Sequence, residues 1–204
     1  MRDFLRGAYH LLLVVWTVAL GAGLGLGSVW LTVESRAPFG ERRVQAWTAW
    51  PNVGAPENDP YARAIVARTG DVPLAQGEGI AFHALVDDDG RALDAACVYR
   101  IAGETPAARY WTLTIADEEG RLVRTAQGRP SLTSAEILRQ EDDTFVIWLS
   151  RRPRSGNWLQ LPERGPVQPI LRLYDTPVSA AFGWLAEGGL PKVTRISCAP
   201  EAVS

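Results

Sequence analysis

The sequence predicts a mainly β domain behind a single membrane-spanning helix. Short segments rich in β-branched, aromatic and aliphatic residues recur between residues 80 and 198, each bounded by Gly, Pro or Asp, as strands are. One uncharged apolar run, Leu11–Val33, stands near the N-terminus. Many short strands separated by frequent turns favour an antiparallel sandwich or barrel.

The overall composition excludes several classes of protein. The chain has 204 residues, of which 47% are hydrophobic, and 21 basic against 23 acidic side chains give a formal charge of −2. These values exclude a disordered chain and a multi-span transporter. The slightly acidic balance excludes a strongly basic nucleic-acid binder, so no nucleic-acid partner is expected.

The apolar run has the dimensions of a transmembrane helix. As a helix, residues 11–33 span roughly 34 Å, which exceeds the hydrocarbon thickness of about 30 Å. Trp16 and Trp30 lie near its two ends, where aromatic belts occur. A cleaved signal peptide is the alternative, but its apolar core of about 7–15 residues precedes a small-x-small site that Ser28–Leu31 lacks. We therefore predict an uncleaved helix after a tail of residues 1–10.

Positive charges do not decide the orientation of this helix by themselves. Arg2 and Arg6 precede it, whereas Arg36, Arg42 and Arg43 follow it closely. The short basic tail resembles the start of a signal anchor, which favours a cytoplasmic tail and a C-terminal domain on the opposite side.

Four alternating glycines lie within the run, at Gly21, Gly23, Gly25 and Gly27. Small residues four positions apart share a helix face and allow a second helix to approach closely. These glycines predict a helix–helix contact with the same chain or another membrane protein. The alternative is the general frequency of glycine in membrane helices.

Two further regions follow the predicted helix. Residues 34–57 are rich in Pro, Gly and charge and are predicted to be a linker, although Trp47 and Trp50 are expected to pack on the domain or the membrane surface. Residues 58–204 form the predicted sandwich domain. It opens with a short helix that Asp59 caps, with Pro60 at the first position and Gly70 at the end.

The remaining elements are mostly strands. A second helix is expected from Thr176 to Glu187, and Thr133 with Glu136 fits a capping box for a single turn. The predicted strands are Ile80–Val86, Cys97–Ile101, Tyr110–Ala116, Phe145–Ser150, Val167–Tyr174 and Val193–Cys198.

The two cysteines, Cys97 and Cys198, lie in predicted strands about a hundred residues apart. In an oxidising compartment they can form one disulfide, and otherwise they are small buried side chains. With only His10 and His83 as further nitrogen ligands, a structural zinc site is not expected, and no metal or cofactor is predicted.

Catalytic motifs are absent from the sequence. It contains no phosphate-binding loop, dinucleotide fingerprint, HExxH or GxSxG. His83 is interpreted as a half-buried strand histidine, and Asp87–Gly90 as a hairpin turn in preference to a calcium loop. Glu78 and Asp117–Glu119 could provide paired carboxylates for glycosidic chemistry, but acidic surface turns explain them better.

Two clusters pair polar groups with aromatic rings, the first at Arg109, Tyr110 and Trp111 and the second at Asn157 and Trp158. Such groups can stack on sugar rings or contact a partner protein, and they can equally belong to the core. A third cluster, comprising Arg151, Arg152 and Arg154, is interpreted as a solvated turn.

Six motifs are spread over the predicted domain: Asn58–Tyr61, Glu78-Gly79, Cys97–Gly103, Ala108–Thr114, Gly156–Leu159 and Leu171–Tyr174. Together they resemble one bacterial family, the domain of unknown function numbered 1214. The resemblance covers about residues 58–198. It implies a β-sandwich of jelly-roll type with no agreed catalytic residues.

The resemblance also bears on function. In many relatives this domain follows another domain of unknown function within a longer chain, so we hypothesise that a separately encoded protein supplies that half here. The leading prediction is a single-pass protein of the bacterial inner membrane whose periplasmic β-sandwich is a non-catalytic interaction or assembly module. The alternative is an enzyme or accessory factor that acts on envelope polysaccharide.

Overall fold

Two β-sheets and two helices make up the part of the chain that the computed structural model describes, residues 2–34, 40–55, 57–70, 72–75, 77–177 and 189–198. The helices are α1 (Arg2–Glu34) and α2 (Pro60–Thr69). The strands are β1 (Arg42–Val44), β2 (Trp47–Ala49), β3 (Gly79–Ala84), β4 (Cys97–Gly103), β5 (Tyr110–Ala116), β6 (Ser131–Thr133), β7 (Phe145–Ser150), β8 (Asn157–Gln160), β9 (Gln168–Tyr174) and β10 (Lys192–Cys198).

The strands divide into a sheet of six and a sheet of four. The larger sheet has the order β1-β2-β3-β9-β5-β6, and the smaller has the order β10-β4-β7-β8. Neighbouring strands are antiparallel except for β7 and β8, which run parallel. The predicted mainly β class is therefore confirmed, while the jelly-roll connectivity stays a prediction.

One hydrophobic core joins the two sheets. Alternate side chains of β3, β4 and β7 face inward, as the period of two in a strand requires. The largest buried side chains come from both sheets and include Trp47, Phe82, Leu113, Leu171, Tyr99, Ile101, Phe145 and Ile147. The sheets therefore stabilise each other through their apolar inner faces.

The N-terminal apolar run forms a helix, as predicted. Within α1, Arg6–Thr32 is long and apolar enough to cross a membrane, and none of this span is buried against the rest of the chain. Both Trp16 and Trp30 are exposed. A helix of this kind serves as a single-pass anchor or as a signal sequence.

The capping residues place α2 where the sequence predicts it. The Asp59 carboxylate accepts hydrogen bonds from the backbone N–H groups of Tyr61 and Ala62 at 2.9 and 3.0 Å. At the other end Gly70 has φ 68°, a left-handed conformation that glycine adopts without strain, and its N–H donates to the Val66 carbonyl.

The predicted linker, residues 34–57, is corrected in part. Strands β1 and β2 lie inside it, and β2 pairs with β3 at the edge of the larger sheet. Trp47 is fully buried, and its indole N–H donates to the Pro191 carbonyl at 2.7 Å. Burial of the Trp47 ring stabilises this segment on the domain despite the Pro and Gly content that indicated a linker. Strands β1 and β2 therefore belong to the domain.

The six predicted strands are present with ends within two residues of the predicted ones. Strands β6 and β8 were not predicted because each is very short and adjoins residues typical of turns. The capping-box contact does form, since Glu136 accepts from the Thr133 N–H at 2.8 Å, but it closes a turn after β6 instead of starting a helix. The second predicted helix lies almost entirely outside the described residues.

A disulfide joins Cys97 at the start of β4 to Cys198 at the end of β10. The two residues are directly paired in the antiparallel register of these strands. The sequence left open a disulfide or two separate buried thiols, and the structure contains the disulfide.

Removal of this bond should be costly because it closes a long loop. The half-cystines are 101 residues apart, and loop-closure entropy gives a stabilisation of about 4–5 kcal/mol for a loop of that length. The double variant C97S/C198S should lose free energy of unfolding of this order, measured by urea denaturation of the full chain in detergent. The wild-type protein with reductant should match the variant, and equal midpoints for oxidised wild type and variant would contradict the prediction.

Candidate functional site

Trp111, one of the predicted contact residues, lies in the core. Its side chain is 2% exposed, and its ring packs on Phe145 with a centroid separation of 5.1 Å. A ring in this position contacts neither a sugar nor a partner, so Trp111 is removed from the candidate contact set.

The second predicted cluster also has a structural role. Asn157 is buried, accepts from the Leu138 N–H at 2.7 Å and donates to the carbonyls of Leu138 and Val146. These bonds satisfy the buried amide and tie the 138 loop to β8. Trp158 is half-buried, and its indole N–H donates to the carbonyl and the hydroxyl of Ser150.

Arg109 and Tyr110 remain at the surface. Tyr110 is 38% exposed beside the ring of Tyr174, and an Arg109 guanidinium nitrogen lies 3.9 Å from a carboxylate oxygen of Asp175. Arg109 and Tyr110 lie at the start of β5 in the larger sheet, whereas Asn157 belongs to the smaller sheet. The structure therefore does not bring the two predicted clusters together.

The four glycines of α1 present an open helix surface. A Cβ added at Gly21, Gly23, Gly25 or Gly27 would meet nothing within 4 Å. The hydroxyls on the same helix donate to backbone carbonyls one turn earlier, at Thr17, Ser28 and Thr32. Such internal pairing is what polar side chains in a hydrocarbon environment require.

His83 lies on the outer face of the larger sheet, at the side of a groove of about 420 Å³. Its ring meets Trp50 edge-on with a centroid separation of 5.5 Å. One wall is α2 and the segment after it, and the opposite wall is the turn at Glu118–Arg121. A Glu119 carboxylate oxygen lies 2.8 Å from an Arg121 guanidinium nitrogen, so this candidate catalytic carboxylate is already engaged in an ion pair.

Asp87–Gly90 forms a turn after β3, as predicted, and the Asp87 carboxylate organises it. One carboxylate oxygen accepts from the N–H groups of Asp89 and Arg91, and the other lies 3.2 Å from Arg91 Nε and 2.9 Å from Arg195 Nε. The Asp87 side chain is 1% exposed. These contacts join the turn to β10.

A second turn repeats this arrangement thirty residues later, although the sequence analysis did not identify it as a repeat. Asp117 accepts from the N–H groups of Glu119 and Arg121 at 3.0 and 2.9 Å, and Arg121 Nε lies 2.9 Å from its other oxygen. The signal was present as the pattern Asp-x-acidic-Gly-Arg, which occurs at residues 87–91 and 117–121. The glycines at the fourth position have φ 82° and 79°.

The two turns lower the pKa of their first aspartate. Burial raises the pKa of Asp87, but the Arg91 N–H and the charges of Arg195 and Arg91 outweigh it, so the pKa lies below its usual value. The pKa of Asp117 is lowered too, because the Arg121 N–H and guanidinium outweigh desolvation. Across the described ranges no group of three His, Cys, Asp or Glu residues could hold a metal ion.

The three arginines interpreted as a solvated turn line a concave surface. Arg151, Arg152 and Arg154 border a pocket of about 460 Å³ beside Cys97. The run of basic residues is visible in the sequence, but the pocket is not, because it lies between the start of β4 and the turn after β7, which are about fifty residues apart in the chain.

The elements described define a two-sheet β domain that follows an exposed apolar helix. Residues 78–178 match the family described as "Protein of unknown function (DUF1214)", and the chain therefore carries a domain of that family. No curated protein matches the chain.

Two solved structures are similar to this chain, and the first of them supports the two-sheet fold. The VPA0106 protein from Vibrio parahaemolyticus superposes with a TM-score of 0.54 and 19% identity over 69% of this chain. A putative uncharacterized protein from Burkholderia cenocepacia has a TM-score of 0.41 and 16% identity over 90% of this chain. The present chain covers 36% and 52% of their lengths, respectively.

Loss of the Asp87 charge should destabilise the domain. D87N leaves Arg91 and Arg195 beside a neutral amide, and breaking a buried pair costs about 3–5 kcal/mol. Because the folded pKa is lowered, Asp87 stabilises the fold above its ordinary pKa, and this contribution is lost as the pH falls through the folded pKa. D87N should therefore show less acid dependence of the unfolding free energy, measured by denaturation between pH 7 and pH 2.

The repeated turn provides the matched control. Asp117 makes the same local bonds, but its side chain is 30% exposed, and among the described residues it has no second arginine contact like that of Asp87 with Arg195. D117N should cost only about 1 kcal/mol. Equal losses in the two variants would contradict the role assigned to the Asp87–Arg195 pair.

Proposed function

We propose that this protein is anchored in the bacterial inner membrane by α1 and carries its β-sandwich in the periplasm as an interaction or assembly module. The observation that carries the proposal is α1, an apolar helix whose span Arg6–Thr32 has no buried residue, although Arg68 of α2 lies over the Trp30 ring near its end. Such a surface is unfavourable in water and favourable in lipid.

Two further features support the periplasmic side. Arg2 and Arg6 lie in the first turns of α1, ahead of its apolar run, as in a signal anchor whose N-terminal end stays in the cytoplasm. The Cys97–Cys198 disulfide suits an oxidising compartment, because cytosolic thiols are kept reduced.

A binding role is favoured over the enzymatic alternative by the state of one candidate sugar-contact residue and one candidate catalytic carboxylate. Trp111 is buried and Glu119 is paired with Arg121, so neither is free to act on a polysaccharide. The large share of the Vibrio protein that this chain does not cover supports a companion domain. We propose that a separately encoded protein supplies that companion.

The orientation can be tested with reporters fused after Ser204. Alkaline phosphatase, which needs export to form its disulfides, should be active, and a β-galactosidase fusion should be inactive. The same fusions on a chain that lacks residues 1–33 should give the reverse pattern. An active β-galactosidase fusion on the full chain would place the domain in the cytoplasm and overturn the proposal.

The glycines allow a paired test of helix association in the membrane. Gly21 and Gly25 share one face of α1, while Gly23 and Gly27 lie about 200° around the helix on another. If one face contacts a second helix, G21L/G25L and G23L/G27L should differ, with at least a tenfold loss of association in only one of them. Association is measured by energy transfer between labelled chains in vesicles, and no loss in either variant would contradict a glycine-mediated contact.

A further inference from the structure

We propose that the pocket beside the disulfide binds a phosphate-bearing ligand. This inference rests on the proposed binding role and names the chemistry of what is bound. The pocket has a volume of about 460 Å³, within the range of about 300–1,000 Å³ typical of small-molecule sites. Arg151, Arg152 and Arg154 line it, with Cys97 and Val98 as its apolar part.

The charge at this pocket is uncompensated. Across the described part of the chain, none of the three arginines lies in an ion pair, and no carboxylate lines the pocket. Other arginines do lie within 4 Å of a carboxylate, namely Arg91, Arg109, Arg121, Arg129, Arg139 and Arg195. Three like charges close together repel one another in a chain whose net charge is −2, and an anion between them would relieve that repulsion.

The segment that carries these arginines is held in place. Ser150 is 1% exposed, and its hydroxyl donates to the Arg152 carbonyl at 2.6 Å. Trp158 in turn donates its indole N–H to Ser150, and Arg151 donates to the Glu163 carbonyl at 3.2 Å. A preorganised segment loses little conformational entropy when a ligand binds.

The outer face of the smaller sheet supports the site. The Arg154 guanidinium lies 5.3 Å from the centroid of the Trp148 ring. Trp148 is paired in register with Trp158 on one side and with Arg100 on the other. The aromatic platform therefore positions one guanidinium at the pocket and keeps a further arginine on the same face.

Phosphate matches this arrangement better than a carboxylate does. Guanidinium groups bind oxyanions through paired N–H donors, and both phosphate and carboxylate satisfy that geometry. A single carboxylate has one charge, whereas three arginines can neutralise the several charges of a pyrophosphate or a phosphorylated group. The same chemistry is available from a soluble phosphate compound and from a phospholipid headgroup.

The experiment is calorimetric titration of sodium pyrophosphate into the full chain in phosphatidylcholine nanodiscs. We expect saturable binding that weakens as salt is added. R152Q/R154Q should bind pyrophosphate at least tenfold more weakly than wild type does. R152K/R154K should be intermediate, because lysine keeps the positive charge but lacks the paired N–H donors of the guanidinium. R152Q and R154Q should each bind more weakly than wild type, and R124Q, a change of one exposed arginine outside the pocket, is their matched single-charge control and should bind as wild type does.

The outcomes distinguish a lipid headgroup from a soluble phosphate as the ligand, and they include results that would overturn the inference. Weaker pyrophosphate binding in nanodiscs that contain phosphatidylglycerol than in nanodiscs given the same charge by oleate would assign the site to lipid headgroups, and equal binding in the two would assign it to soluble phosphates. No binding by the wild type, equal losses in R124Q and R152Q/R154Q, or tighter binding of a polyglutamate peptide would overturn the inference. If the titration fails while the reporters show a periplasmic domain, the proposed anchoring stands.

Discussion

The attachment of β10 to β4 is the contact on which the closure of the sandwich depends. Along β10 only Val193 is fully buried, so apolar burial alone holds the strand weakly. The Cys97–Cys198 bond fixes one end covalently, and the Arg195–Asp87 ion pair holds the middle. Because Asp87 also organises the turn after β3, one buried carboxylate connects the two sheets.

The same region depends on contacts from the other edge of the domain. Trp47 donates to the Pro191 carbonyl just before β10, and the Val193 N–H donates to the carboxylate of Asp88. The first strands of the domain and its last described strand therefore stabilise each other, although more than a hundred residues separate them in the sequence. Residues 42–49 belong to the domain for this physical reason, whatever their composition indicates.

Sequence patterns predicted the parts of the fold that local physics determines. The apolar run of α1, the Asp59 cap of α2 and the six longer strands each have a local signal, and each is present in the structure. Strands β6 and β8 have only three and four residues, and they exist because partners elsewhere in the chain supply their hydrogen bonds. Such pairing leaves no local signal.

The candidate site was harder to predict because the same kinds of residue, such as Trp and Asn, occur both at contact surfaces and in the core. Trp111 and Asn157 had the chemistry of contact residues, but their burial and hydrogen bonds depend on which face of a strand points inward and on a loop distant in sequence. The arginines at 151, 152 and 154 have the sequence pattern of a solvated turn, and their pocket forms only because β4 and β7 are neighbours in the smaller sheet. The repeated Asp-x-acidic-Gly-Arg turn could have been found, because both copies stand in the sequence.

The disulfide has a mechanical consequence for a domain held by its N-terminal helix. The disulfide closes residues 97–198 into a covalent ring, so tension along the chain passes through the disulfide and cannot extend the residues between the two cysteines. Tension that enters from α1 passes instead through β1, β2 and β3, which precede Cys97. These strands would be extended first, while the ring that carries the arginine pocket would keep its contour length. The domain is thus divided into a part that can extend under load and a part that cannot.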